Sequence, residues 1–453
     1  MKPFPLFFTL VFVALSGTAQ DLSNEIKTHI KARVDEGHNA SIALAYVYGE
    51  EEGFYNYGKT SMPDGADVDE HTVYEIGSIS KVFTCILLAD EVLKGQLSLE
   101  DPVAKFLPEH VRMPQRDGKE ITLKDLATHT SGLPRMPDNL QPADESNPFA
   151  DYSFTQLYAF ISSYELPRAI GAQYEYSNLG MGLLGHVLEL HTGKSYESLV
   201  IERIARPLGM SSTAIGLTQD MKSRLAKGHN MQLEEVSNWD IISLAGAGGI
   251  RSTSSDMLKF IKANMSTADT PLHKAMQLSH EIAYAQEDTE FQLGLGWHYT
   301  NNNTIVWHNG GTGGYKAFAG FVKNGNKGVV VLTNSTSGVD ELGVKVLDDA
   351  LNLELPKKVV FPDVVEVSED VLEAYVGVYE VSPQFKITIT RAGQQLFLQA
   401  TGQSKLELFA SAQSEFFLKV VEASISFNTD ENDKVNAMTL HQGGQHVPAT
   451  KVQ

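Results

Sequence analysis

Residues Glu75 to Thr84 read EIGSISKVFT. Ser78 stands three residues before Lys81, directly after a glycine and at the start of an apolar run. Composition and apolar spacing predict a helix from Gly77 to Leu93. Because residues three apart share one helical face, the pattern places a hydroxyl beside an amine.

This pairing of side chains has a direct chemical use. A serine hydroxyl is a weak nucleophile unless a base lies close to it. Burial and the positive end of a helix both lower a lysine pKa, so that the amine can take up a proton. N–H groups at a first helical turn also stabilise a developing oxyanion. The spacing predicts an activated acyl acceptor, although a capping serine followed by a solvated lysine would look the same.

Two later motifs carry side chains that suit the same chemistry. The segment YEYSNLGMGLLG places Tyr176 and Asn178 just before a predicted helix, where a phenol and an amide could meet a substrate. The segment WHNGGTGGY places His308, Asn309 and Gly310 on the edge of a predicted strand, where glycines permit close approach. Taken singly, the first motif is more typical of a core tyrosine followed by a capping asparagine, and the second could be only a turn between strands.

The order of predicted elements indicates an α+β fold. A helix and a hairpin open the first domain, and short strands followed by a helix close it after Gly294. An antiparallel sheet flanked by helices, with an inserted helical region, is the expected result for residues 20–355. A proline-containing linker spans 356–367. Alternating strands with tight turns then predict a small all-β barrel or sandwich over 368–453.

Residues 1–19 have the pattern of a cleavable signal peptide. Lys2 is followed by an apolar run too short for an ordinary membrane span, and then by small residues. We therefore expect a periplasmic or secreted protein with no membrane segment after cleavage; an uncleaved anchor is the alternative.

Cys85 is the only cysteine, which excludes an intrachain disulfide, and its apolar surroundings predict a buried packing residue.

Charge and histidine spacing narrow the function classes. There are 56 acidic and 36 basic residues, giving a formal net charge of −20. Such a balance argues against a nucleic-acid binder and against adhesion to an anionic membrane. The histidines are scattered without a helical His-x-x-x-His pair, so no metal and no cofactor are predicted. The expected partner is a small-molecule or peptide substrate.

Six segments together, and in this order, resemble the active-site serine penicillin-recognising hydrolases. They are YEIGSISKVFT, LATHTSGLP, YSNLGMGLLG, AGGIRSTSSDMLKF, GLGWHY and HNGGTGGY. The similar branch contains class C β-lactamases, D-alanyl-D-alanine carboxypeptidases, D-aminopeptidases and related esterases. The resemblance covers roughly residues 22–355 and implies a β-lactamase/transpeptidase-like fold. The later stretch YVGVYE resembles a small β-domain that follows such hydrolases, and its role stays open: to cover the cleft, pack a partner or stabilise the chain.

The resemblance also implies roles for particular residues. Three are catalytic: Ser78 as the acylated nucleophile, Lys81 as the adjacent base or proton relay, and Tyr176 as the proton shuttle to the leaving group. Five contact the substrate: Asn178, His308, Asn309, Gly310 and Gly311. Of these, Asn178 would hold a side-chain carbonyl, and Gly311 would add its N–H to that of Ser78 in an oxyanion hole.

The third motif departs from the pattern of strong β-lactamases, which carry Lys-Thr-Gly where this chain has His-Asn-Gly. A histidine with an ordinary pKa is mostly neutral at pH 7.5. If a His308 imidazolium did bind an anionic substrate, carboxylate substrates should bind less well above its pKa. The serine-hydrolase class is therefore favoured over the narrower β-lactamase function.

The predicted function is hydrolysis of β-lactam, D-amino-acid peptide or amide, or ester bonds through a Ser78 acyl-enzyme, with peptidoglycan fragments as one candidate source of substrate. The main alternative is a penicillin- or acyl-binding sensor that acylates without efficient turnover. A third possibility is that the C-terminal module binds cell-wall glycan and performs the main task.

Overall fold

The computed structural model describes residues 21–286, 289–300, 302–357, 360–383, 385–403, 405–432 and 434–452. The predicted signal peptide, residues 1–19, lies outside this range. Within the described residues, no helix combines the length and the apolar character needed to cross a membrane.

The α-helices are numbered in chain order. They are α1 (Asn24–Asp35), α2 (Ser80–Leu93), α3 (Leu123–Ala127), α4 (Phe154–Ser163), α5 (Asn178–Thr192), α6 (Tyr196–Val200), α7 (Gln219–Ser223), α8 (Ala245–Gly248), α9 (Ser254–Met265), α10 (Pro271–Ser279), α11 (Asp340–Leu347) and α12 (Glu369–Tyr375). Short 3₁₀ turns span Gly77–Ile79 and Val103–Phe106, and a π-helical turn spans Ile201–Ala205.

The strands of the first domain are β1 (Ser41–Tyr48), β2 (Glu51–Gly58), β3 (Val73–Glu75), β4 (Gln115–Arg116), β5 (Lys119–Glu120), β6 (Gly228–His229), β7 (Glu235–Val236), β8 (Arg251–Thr253), β9 (Tyr284–Ala285), β10 (Gln292–Leu293), β11 (His298–Thr300), β12 (Ile305–Gly311), β13 (Lys316–Val322) and β14 (Lys327–Thr333). Those of the second are β15 (Gly377–Ser382), β16 (Phe385–Ala392), β17 (Gln395–Ala400), β18 (Leu406–Ala410), β19 (Glu415–Leu418), β20 (Ala423–Thr429), β21 (Val435–Gln442) and β22 (Gln445–Lys451).

An antiparallel eight-stranded sheet forms the frame of the first domain, in the order β2-β1-β14-β13-β12-β11-β10-β9. The predicted opening hairpin and closing strands meet here, with Ile42 opposite Thr333. Both faces are covered: Leu44 packs in the cluster that includes α1 and α11, and Ala43 packs in the cluster that includes α2 and α9. This burial on two sides explains why β1 is apolar or small at nearly every position. The predicted α+β fold is confirmed.

Helix α2 carries the opening motif into the middle of the first domain. All its residues from Ser80 to Glu91 are buried, and it packs against α5, α8 and α10. A helix that is apolar on all sides is typical of such a central position. Cys85 is buried there, with Sγ 3.8 Å from Sδ of Met181, as its sequence surroundings predict.

The C-terminal segment forms a closed antiparallel barrel of eight strands, β15 to β22. The prediction of a small all-β unit is confirmed, and of the two predicted forms it is the barrel. Inward-facing side chains such as Tyr379, Ile389 and Met438 form its core. Helix α12 packs into one end, where the ring of Tyr375 stacks on that of Phe427 at 4.0 Å.

Candidate active site

The predicted nucleophile lies at the entrance of α2. Ser78 occupies the 3₁₀ turn that precedes the helix, and Gly77 before it adopts φ +52°, a conformation that favours glycine. Nζ of Lys81 lies 3.0 Å from Oγ of Ser78 and 2.6 Å from the carbonyl oxygen of Ala247. The serine–lysine pair expected from the spacing is therefore formed, within hydrogen-bond distance.

The surroundings of Lys81 favour the neutral form of its amine. The side chain is wholly buried, and burial holds its pKa well below the ordinary value of 10.5. The positive charge of Arg135 lowers the pKa further. A lysine in such a position loses its proton readily, and the neutral amine can then accept one from a hydroxyl.

Tyr176 lies over the same pair. Its ring centroid is 4.8 Å from Nζ of Lys81 and 5.1 Å from the guanidinium carbon of Arg135. Burial raises the pKa of Tyr176 to about 12, although a hydrogen bond with Ser78 and the charge of Arg135 act in the opposite direction. The phenol therefore keeps its proton at neutral pH, whereas the pKa of Lys81 is lowered.

A buried histidine holds the Tyr176 loop in place. The ring of His129 packs on that of Tyr176 with centroids 4.5 Å apart, and its Nδ1 accepts the Ser177 N–H at 3.1 Å. Burial keeps the pKa of His129 well below its usual range, so the ring is neutral and one nitrogen can accept. Ser177 in turn caps α5 by accepting the N–H of Gly180 at 2.8 Å. Sequence reasoning missed His129, although it lies within the family-like segment LATHTSGLP.

Strand β12 brings the third motif against the nucleophile. Its pairing with β11 ends at Trp307, and the remainder of the strand approaches the Ser78 turn. A Cβ added at Gly310 would lie 2.0 Å from the Ile76 carbonyl oxygen, and one at Gly77 would lie 2.6 Å from the Gly311 nitrogen. Only glycine permits this approach, which places the backbone of Gly311 beside that of Ser78.

His308 does not carry the charge that a carboxylate-binding role would need. It is buried behind the cleft, with Nδ1 2.5 Å from the carbonyl oxygen of Asn309. Burial above all, and then the charges of His298 and Lys81, hold its pKa well below 6.5. A neutral ring at neutral pH disfavours the hypothesis of an imidazolium that binds an anionic substrate.

Asn309 and Asn178 both line the cleft. The Asn309 amide donates to Oδ2 of Asp340 at 2.5 Å, which fixes its orientation. The backbone N–H of Asn178 donates to the Arg135 carbonyl oxygen at 3.0 Å, and its side-chain amide lies 3.5 Å from Sδ of Met136. The structure thus places all the predicted substrate-contact residues around Ser78, with His308 set back from the surface.

Two cations in the cleft escaped the sequence reasoning. Arg135 and Lys316 both line it, and Lys316 is paired with Gly311 in the sheet. Nζ of Lys316 lies only 2.9 Å from where a Cβ on Gly311 would stand. Burial lowers the pKa of Lys316, whereas Asp340 raises it. Neither residue belongs to a recognisable motif, because their positions depend on a loop and on strand register.

The cleft is larger than the first domain alone would make it. Its cavity of about 900 Å³ is lined on one side by Ser78 and its neighbours and on the other by the C-terminal barrel. The two domains touch at its rim, where the Met136 N–H donates to the Gly402 carbonyl oxygen at 3.2 Å.

In the described part of the chain, no group of three or more histidine, cysteine, aspartate or glutamate residues could hold a metal ion.

Comparison with known families gives two matches along the chain. The family model described as Beta-lactamase matches residues 26–351. A model described as a domain of unknown function, DUF3471, matches residues 362–451, which include the barrel.

Curated proteins and solved structures agree with the first match. The chain is 30% identical over 346 residues to the D-alanyl-D-alanine-carboxypeptidase/endopeptidase AmpH of Escherichia coli (strain K12), covering 72% of this chain and 88% of that protein. It is 26% identical over 352 residues to a beta-lactamase of Pseudomonas fluorescens, covering 70% and 94%. A solved class C beta-lactamase superposes with a TM-score of 0.62 at 25% identity, covering 73% and 96%.

Proposed function

The chain belongs to the beta-lactamase family and is a serine hydrolase, and from this premise we propose that it cleaves its substrate through an acyl-enzyme on Ser78. The observation that carries the proposal is the 3.0 Å approach of Lys81 Nζ to Ser78 Oγ. Burial lowers the pKa of that lysine, so the base needed to activate a hydroxyl stands next to it.

The electrostatics of the site support a definite order of proton transfers. Ser78 Oγ attacks the substrate carbonyl carbon while its proton passes to the neutral amine of Lys81. When the tetrahedral intermediate collapses, the leaving nitrogen or oxygen takes the Tyr176 proton, which the Lys81 ammonium then replaces. Water releases the acyl group from Ser78 by the reverse pattern. The phenol pKa near 12 supports Tyr176 as acid and Lys81 as base.

The tetrahedral oxyanion would lie between two backbone donors. The N–H groups of Ser78 and Gly311 are the candidates, and the close packing of Gly77 and Gly310 brings their segments together. Fixed backbone dipoles of this kind stabilise charge that develops only in the transition state.

We propose substrates that carry a carboxylate, and we place peptides, amides and esters before β-lactams because the third motif departs from the Lys-Thr-Gly of strong β-lactamases. Arg135 and Lys316 supply positive charge in the cleft that the neutral His308 does not. The relative AmpH is named a carboxypeptidase and endopeptidase, which favours a D-alanyl-D-alanine peptide as the first substrate to test.

We further propose that residues 1–19 are a signal peptide directing secretion or periplasmic location, to be tested by N-terminal sequencing of exported protein.

A substrate panel with a Ser78→Ala control tests the whole proposal. It pairs a chromogenic cephalosporin, a D-alanyl-D-alanine peptide, a D-aminoacyl anilide and a short-chain nitrophenyl ester. We expect Ser78-dependent turnover of peptide or ester, and intact-mass spectrometry should catch an acyl adduct on wild type alone. Turnover or labelling that survives Ser78→Ala would refute the mechanism, and an adduct stable for hours would favour the sensor instead.

A further inference from the structure

The barrel presents one end to the cleft. The barrel residues that line the cavity lie at the starts of β16, β18 and β20, at the ends of β17, β19 and β21, and in the β17–β18 and β19–β20 turns. They include Phe385, Ile387, Leu398, Ala400, Leu406 and Leu440. Because neighbouring strands are antiparallel, these positions all belong to the same end of the barrel.

The strand residues of this set also point inward. Along β16, Ile387 lines the cavity and Ile389 two residues later belongs to the barrel core. The same alternation relates Leu398 to Leu396 on β17, since successive side chains point to opposite faces. The lining is therefore the inside of the barrel, reached from its open end.

The opposite end is closed. Helix α12 packs there through Leu372 and Tyr375, both buried in the barrel core. At the open end, by contrast, Phe385, Leu406 and Leu440 are only half-buried. These large apolar side chains face the cavity that contains Ser78.

The barrel adjoins the acyl side of the reaction centre. Its β17–β18 turn contacts the first domain through the bond from the Met136 N–H to the Gly402 carbonyl oxygen. Met136 also touches the amide of Asn178, the residue expected to hold the acyl side chain. The apolar wall therefore continues from the position of the substrate acyl group rather than from the leaving group.

We propose that the open end of the barrel is an apolar acyl subsite, and that this hydrolase prefers substrates with an extended apolar acyl chain. The inference rests on the proposed function, because it takes the substrate carbonyl to stand at Ser78. A pocket with polar groups around the reactive centre and an apolar wall beyond it orients an amphiphilic substrate. The first domain supplies the reaction, and the barrel selects the acyl chain.

The test is the hydrolysis of nitrophenyl esters from acetyl to decanoyl, kept below their micelle concentrations. Each buried methylene should raise kcat/KM by about twofold to fourfold, giving roughly 16-fold to 250-fold over the four methylenes between butanoyl and octanoyl. Leu440→Gln and Leu406→Gln should flatten this rise. Ala400→Phe, which fills the opening, should lower the longest chain length accepted.

Val371→Gln is the matched control, because Val371 is a half-buried valine of α12 at the closed end. It should keep both the activity and the chain-length rise. A flat wild-type profile with an inactive Ser78→Ala variant would refute the acyl subsite and leave the mechanism intact. Hydrolysis that survives Ser78→Ala would refute the mechanism itself. If Leu440→Gln, Leu406→Gln and Ala400→Phe, each folded by circular dichroism, all keep the wild-type profile, the barrel does not bind the chain.

Discussion

The two walls of the cleft are built on different principles. On the wall of the first domain, a few side chains hold fixed polar positions, and Lys81 and Tyr176 have pKa values moved in opposite directions by the same burial. On the barrel wall, the contribution is an apolar inner surface made by strand alternation, with no motif. The proposed chemistry therefore depends on the positions of individual atoms, whereas selectivity would depend on the shape of a surface.

The largest effect should come from the base. Lys81→Ala removes the amine that lies within hydrogen-bond distance of Ser78 Oγ, so acylation should fall by roughly 10³–10⁴-fold. Rapid-mixing measurement of the acylation step with a nitrophenyl ester checks this. Lys105→Ala, at an exposed lysine, should leave the rate unchanged. An equal loss of the acylation rate in both variants would contradict the view that the reaction depends on the position of the Lys81 amine.

The glycine packing should have the next largest effect. Gly310→Ala places a Cβ against the Ile76 carbonyl oxygen and forces β12 away from Ser78. Because this displaces an oxyanion donor, kcat should fall by roughly 10²–10³-fold with little change in KM. Gly338→Ala is the control, since Gly338 also lines the cleft but its added Cβ meets no atom within 4 Å. A matching kcat loss in the control would contradict the proposed oxyanion hole.

The charge of Arg135 should shift the pH dependence, which burial of Lys81 mainly determines. It lowers the pKa of Lys81, so Arg135→Gln should raise that pKa and move the acid limb of the kcat/KM profile to higher pH. For a neutral ester we expect a loss of roughly threefold to tenfold at pH 6. Arg135→Lys keeps the charge and should leave the limb in place. An unmoved limb in the glutamine variant would mean that another group controls the amine.

The sequence predicted the polar wall far better than the apolar one. Ser78 and Lys81 are near neighbours on one helix, so their meeting follows from local periodicity alone. The third motif could be assigned through its resemblance to a family, but the strong lowering of the His308 pKa could not, because it depends on burial by side chains distant in sequence.

The residues that were missed share a physical reason. Arg135 enters through a loop whose path is fixed by contacts to Asn178, and Lys316 depends on the register of β13 against β12. Leu440 reads only as a strand position in the sequence, since nothing in an alternating pattern says which end of a barrel faces another domain. Local sequence patterns specify helices and strands, whereas the apolar wall of this cleft depends on how the two domains pack together.

The smallest effect should come from the ion pair between the walls. Lys405 and Glu145 lie 3.8 Å apart, each about one-third exposed, and burial raises the pKa of Glu145 despite the lysine. Because the Glu145 pKa is higher in the folded protein, ionising this carboxyl at higher pH lowers the stability of the folded state. The attraction to Lys405 is therefore smaller than the cost of burying the Glu145 charge. Glu145→Gln should therefore change the free energy of unfolding by less than about 1 kcal/mol and leave the ester chain-length profile unaltered. Thermal melts at low and high salt measure the first and ester kinetics the second. A large loss of stability together with a flattened chain-length profile would mean that this ion pair, rather than the packing around Gly402, holds the apolar wall over Ser78.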